Sequence, residues 1–128
     1  MNFESYNQNL QKHLWKDRVL IIESENAQNE LYQQQIKALK NDTKGLKERK
    51  LVIYSYFNDG YKTGFSEIIK PFKIKVKRKG KTYFSVALIG LDGGKKLQQK
   101  SILTKEKLFA IIDGMPMRRR ELKKNEDK

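Results

Sequence analysis

Two short apolar runs, Val19-Leu20-Ile21-Ile22 and Leu51-Val52-Ile53-Tyr54-Ser55-Tyr56-Phe57, stand either side of one amphipathic stretch, and this arrangement restricts the chain more than any other feature. Each run is short and rich in β-branched or aromatic residues, as expected of strands in the middle of a sheet. Between them, from about Asn26 to Lys44, Ala27, Leu31, Tyr32, Ile36 and Leu39 recur at helical spacing. Ser24 or Asn26 is available as N-cap and Gly45 lies beyond the end. Strand, helix, strand in that order predicts a parallel pair joined by a right-handed crossover. Trp15, just upstream, is expected to pack over the sheet edge.

The remainder reads as an excursion, a hairpin and a closing helix. Asn58-Asp59-Gly60 ends the second strand with turn residues, and Phe65 to Ile69 is expected to make a helical turn before Pro71. Phe72-Lys73-Ile74-Lys75-Val76-Lys77 alternates strictly between apolar and basic, predicting a strand with a lysine row in solvent, and Arg78-Lys79-Gly80-Lys81 turns it back. Tyr83 to Leu91 forms a strand, Asp92-Gly93 a tight turn, and Lys95 to Lys100 the return strand. Thr104 caps a helix with Leu108, Ile111 and Ile112 on one face, stopped by Gly114 and Pro116. The charged tail from Glu121 is expected to fray. At 128 residues the expected organisation is one domain over 1–128, with a core from about 10 to 121.

Four segments carry a family resemblance: Leu88-Ile89-Gly90-Leu91-Asp92-Gly93-Gly94-Lys95-Lys96-Leu97, Phe109 to Glu121 with its Met115-Pro116-Met117-Arg118 box, Trp15 to Ile22, and Glu48 to Ile53. Together they resemble the peroxiredoxin-like P-DUDES domain, found in bacterial proteins of unknown function and in vertebrate sushi-repeat-containing matrix proteins. The resemblance covers most of residues 10 to 121. It implies a thioredoxin-like α/β sandwich with a central mixed sheet and flanking helices, which agrees with the element order. It also implies export in many relatives. Residues 1 to 17 hold no apolar core of signal-peptide length, so an exported (periplasmic or secreted) and a cytoplasmic location both stay open.

Redox chemistry is excluded on chemical grounds. The sequence holds 0 cysteines, and a thioredoxin-like enzyme needs a thiolate at the N-terminus of its first helix. That corner reads Glu23-Ser24-Glu25-Asn26; Ser24 there is expected to cap, because a serine hydroxyl lacks a thiol's acidity and no base stands near it in sequence. The proline that such folds carry before the hairpin strand is also missing from Tyr83-Phe84-Ser85-Val86. No metal site and no cofactor are expected: His13 is the only histidine, with no ligand spacing around it. Asp92-Gly93-Gly94 precedes a strand rather than a helix, so it reads as a turn and not a phosphate cradle. Asp92, Asp113 and Glu121 show no spacing of a paired acid and base. The chain therefore reads as non-catalytic, acting as a binding or scaffold module.

Charge supplies the alternative reading. A formal net charge of +13 favours polyanions or acidic protein surfaces, without choosing among them. Two groups of cations are the candidate contacts. Lys73, Lys75, Lys77, Arg78, Lys79 and Lys81 lie in the basic excursion, where a solvated strand face that discourages aggregation is the simpler expectation. Arg118, Arg119 and Arg120 follow the last apolar helix, where they either complement its C-terminus or bind an anion through two-point forks. We expect Arg118, beside the Met-Pro-Met box, to be structural and the other two to face solvent. Met115 and Met117 are expected to plug the core beneath that helix.

Overall fold

The computed structural model describes residues 10–71 and 81–126. The predicted lysine strand and its turn, with Lys73, Lys75, Lys77, Arg78 and Lys79, lie outside the described residues. The strands are β1 (Arg18–Ser24), β2 (Leu51–Tyr56), β3 (Gly60–Thr63), β4 (Lys70–Pro71), β5 (Phe84–Ile89) and β6 (Lys95–Gln99). Beyond a helical turn at residues 10–13, the helices among the described residues are α1 (Glu30–Lys40), α2 (Thr43–Glu48), α3 (Lys105–Asp113) and α4 (Pro116–Glu126). They build a six-stranded mixed sheet in the order β4-β3-β2-β1-β5-β6. The β1–β2 pair is parallel, as the crossover requires, and β5 runs antiparallel to both β1 and β6.

Alternation along the three central strands splits the apolar residues between two faces. Leu20, Ile22, Leu51, Ile53, Val86 and Leu88 join Tyr32 and Leu39 of α1, Leu46 of α2, and Leu108 and Ile112 of α3 in one buried core. Val19, Ile21, Tyr54, Tyr56, Ala87 and Ile89 form a second buried cluster on the opposite face. Burying one such side chain is worth about 1.5–3 kcal/mol, which makes the central strands the firmest part of the sheet. A buried polar latch ties α1 to the segment before α3. Gln35 donates to the Leu103 carbonyl at 2.8 Å, and its side-chain oxygen accepts from the Leu103 N–H at 2.7 Å.

Several local expectations fail, each for a physical reason. Helix α1 starts at Glu30 because β1 stays paired as far as Ser24↔Phe84, and the chain then needs a turn before it can coil. Asn29 is the cap, its Oδ1 accepting from the Tyr32 N–H at 3.0 Å. Asn26 instead accepts from the Gln28 N–H, and Ser24 donates to the Asn26 carbonyl. With the later start, Leu31 points outward. Gly45 does not end a helix: it lies inside α2, where a Cβ would come within 2.8 Å of the Phe109 ring. Trp15 is exposed rather than packed on the sheet edge, held by its main-chain N–H to the Leu91 carbonyl at 2.7 Å.

Phe65 to Ile69 is turn and coil rather than helix, and the strand β3 between it and β2 was not anticipated. The Asp92-Gly93 turn does form, with Gly93 at φ +82°, a conformation that suits glycine. Thr104 caps α3 as expected, accepting from the Lys107 N–H. The helix before Pro116 does stop, at Asp113 with Gly114 as its cap, but Pro116 does more than end it. Proline is pre-shaped for the first position of a helix, and here it opens α4, so Glu121 to Glu126 are helical instead of fraying. Met115 packs partly on the core, while Met117 is exposed.

Candidate functional site

The start of β1, the end of α2, the end of α3 and the first turns of α4 converge on a cluster of arginines and carboxylates. Arg18, the first residue of β1, is 1% exposed, and Arg118 of α4 is 2% exposed. Arg118 donates from Nε to Asp113 Oδ1 at 3.1 Å, from Nη1 to the Glu48 carbonyl at 3.2 Å, and from Nη2 to Glu48 Oε1 at 3.3 Å. Arg49 grips the same Asp113 with a two-pronged contact at 3.1 and 2.9 Å, and its guanidinium lies 3.9 Å over the Phe109 ring. Glu121 accepts from both Arg18 and Arg118 and stands 3.8 Å from the Lys50 ammonium.

Three of these contacts end on main-chain carbonyls at the C-terminal end of α2. Arg49 donates to the Gly45 carbonyl at 3.0 Å, Arg118 to that of Glu48, and Arg18 to that of Arg49 at 2.8 Å. The Gly45 carbonyl also accepts from the Arg49 N–H at 3.3 Å, and cations at this end complement the negative end of the helix dipole. Arg118 therefore serves a helix C-terminus as the sequence suggests, but that of α2 and not of α3. Burial alone would push the Asp113 carboxyl up; the hydrogen bonds and charges of Arg49 and Arg118 outweigh it and hold the group below its ordinary 3.8. Burial likewise works against the Arg118 guanidinium, but its bonds to Asp113 and Glu121 dominate and raise it.

Arg18 differs from its neighbours in one respect. Its Nε and Nη2 are buried and have no hydrogen-bond partner among the described residues. Arg18 also lines a cavity of about 290 Å³ shared with Leu91, Asp92, Lys96, Met115, Pro116 and Met117. Asp92 is held below its ordinary 3.8, first by the Gly94 N–H and then by Lys96.

The other candidate residues separate. Arg119, Arg120 and Lys81 are exposed, and only Arg118 joins the cluster. His13 links elements: its Nδ1 lies 2.7 Å from Asp17 Oδ2 and its Nε2 2.6 Å from the Tyr54 hydroxyl, tying the segment before β1 to β2. Burial first, then Tyr61 and Asp17, push the Tyr54 hydroxyl up, which does not suit it to attack. At the corner before α1, Ser24 is fully buried and committed to the Asn26 carbonyl. Among the described residues no three His, Cys, Asp or Glu side chains gather where they could hold a metal ion. No described helix is long and apolar enough to cross a membrane. Sequence reading missed Arg18, Arg49 and Glu48, since partners separated by 64 or 103 positions leave no local spacing to detect.

The profile of a domain of unknown function, DUF4174, matches residues 9–121. The chain belongs to the DUF4174 family. No curated protein matches its sequence. Among solved structures this DUF4174 chain is similar to the reduced 2-Cys peroxiredoxin of Plasmodium vivax, at TM-score 0.62 and 13% identity, over 87% of this chain and 84% of that one. At that identity the likeness concerns the fold alone, and it establishes a peroxiredoxin-like, thioredoxin-type sheet with flanking helices. The DUF4174 match and this fold agree with the peroxiredoxin-like domain of unknown function that the sequence resembles.

Proposed function

We propose that this DUF4174 chain is a non-catalytic binding module of P-DUDES type that has kept the peroxiredoxin-like fold and carries no thiol redox chemistry. One observation carries the reading: in a fold whose redox members work through a thiolate at the first helix, this sequence has 0 cysteines. The buried hydroxyl of Ser24 at that corner is already spent on a main-chain carbonyl, which supports the same conclusion. The profile match over residues 9–121 supports treating 1–128 as one domain. Peroxide consumption and insulin disulfide reduction by the metal-free protein should equal the buffer control. Turnover above that control would overturn the proposal.

A second reading, binding of a polyanion or acidic protein surface, is favoured by the outer face of α4. Arg119, Arg120, Lys123 and Lys124 are all exposed there, on a chain of net charge +13. Retention on heparin and on single-stranded DNA should fall steeply with salt, because each anion contact releases counterions. A preference for DNA at moderate salt favours a nucleic-acid ligand, and no retention at low salt removes this reading. The basic excursion with Lys73, Lys75, Lys77, Arg78, Lys79 and Lys81 is the other candidate contact for such a ligand.

A further inference from the structure

Arg18 has a recognition edge that the fold leaves unused. Nη1 is occupied by the Arg49 carbonyl and Glu121, whereas Nε and Nη2 are buried and unpartnered among the described residues. In a guanidinium these two nitrogens lie side by side and present parallel N–H groups, which match the two oxygens of a carboxylate. Native interiors rarely leave buried donors unmatched, since each forfeits its hydration without return. Two such donors on one edge are a fork waiting for a two-oxygen acceptor.

The surroundings fit that acceptor. Arg18 lines the 290 Å³ cavity, and the first turn of α4 borders it through Pro116 and Met117. The first N–H groups of a helix have no intrahelical partner and favour negative charge. Within the cluster, Arg18, Arg49, Lys50 and Arg118 face Glu48, Asp113 and Glu121, four cations against three carboxylates. Asp92, the acid on the cavity wall, is neutralised by Lys96 at 3.1 Å and by the Gly94 N–H at 2.9 Å. The remaining wall is apolar, from Leu91, Met115, Pro116 and Met117, with methionines able to adapt to an occupant.

We propose that this cavity binds a small carboxylate with an apolar tail. That edge is closed to water in the unliganded fold, so the cavity wall shifts as the acid enters; the carboxylate then lies side-on to Nε and Nη2 of Arg18, and the tail lies against Leu91, Met115 and Met117. The volume sits at the lower end of small-molecule pockets, which run from ~300 to 1,000 Å³, so a short aliphatic or aromatic acid fits and a polymer does not. Sulfate and phosphate share the fork geometry but leave the apolar wall uncovered. The proposal gives the binding module a ligand class and rests on that reading in this sense alone; turnover of an acid bound here would overturn the module and leave the site standing.

The test follows the Met115 and Met117 methyl signals of the full chain by NMR at constant ionic strength, titrating hexanoate, hexan-1-ol and sulfate in turn. Hexanoate should shift both methyls saturably with a Kd of about 1 mM or tighter. Hexan-1-ol and sulfate should bind at least about tenfold more weakly. Arg18→Lys keeps the charge but loses the fork, and should weaken hexanoate by about tenfold or more. Equal binding of hexan-1-ol, equal binding of sulfate, no saturable shift, or undiminished affinity in Arg18→Lys would each overturn the proposal. The three-ligand comparison on the unaltered protein decides the matter even where Arg18→Lys fails to fold.

Discussion

Replacing Arg118 by Gln removes one arginine from the buried cluster while keeping helix propensity close to that of the original. Breaking a buried ion pair by deleting one member costs ~3–5 kcal/mol when the remaining charge is sealed from water. Here two of the carboxylates left behind are not sealed, Glu48 at 56% exposed and Asp113 at 36%, and Asp113 keeps its two-pronged contact with Arg49; the third, Glu121 at 18%, keeps Arg18 and Lys50. Water therefore recovers part of the loss. What it does not readily recover is the donor to the Glu48 carbonyl and the packing of a side chain that is 2% exposed. We expect a net loss of about 2–3 kcal/mol. For a chain of this size, that lowers Tm by roughly 10 °C. Arg119→Gln and Arg120→Gln, at exposed positions, should each stay within about 0.5 kcal/mol of the parent. Urea unfolding followed by circular dichroism measures all three on one scale. A loss below about 0.5 kcal/mol for Arg118→Gln, or equal losses at the three positions, would refute the reasoning.

Asn29→Ala should cost about 1–2 kcal/mol, because it deletes the cap of α1 together with the donor to Glu25 and to the Tyr83 carbonyl, while Asn26→Ala should cost a few tenths. Chemical denaturation of the two variants side by side checks the order. Gln35→Leu leaves the buried N–H and carbonyl of Leu103 unpaired and should cost about 2–4 kcal/mol by the same assay, although leucine is the more apolar residue. Acid should destabilise the fold through Asp113. Its folded pKa lies below the ordinary 3.8, so its contribution is complete above that value and disappears as pH falls through the depressed folded value. Asp113→Asn should therefore flatten the decline in stability below about pH 4, as read by urea midpoints across a pH series.

Local patterns fixed what neighbouring residues decide among themselves. Unbroken apolar runs placed β1 and β2, the Asp92-Gly93 pair placed the β5–β6 hairpin, and Thr104 placed the start of α3, because period, turn geometry and capping all act within a few residues. The parallel pairing of β1 with β2 was legible for the same reason, since a helix between two strands leaves little other choice. The start of α1 was not: Ser24, Asn26 and Asn29 are all good caps, and the pairing of Ser24 with Phe84, 60 residues away, decided among them. Nor did Pro116 announce a helix, because proline stops one helix and opens another equally well. The arginine cluster lay furthest from view. Arg18, Arg49 and Glu121 look like ordinary surface charges in the sequence, and Arg118 could be read as structural but not assigned its partners; only the meeting of β1, α2, α3 and α4 buries Arg18 and Arg118 and, among the described residues, leaves one edge of Arg18 unmatched. Partnership across the fold is a property of distance in space, and single-chain spacing carries no record of it.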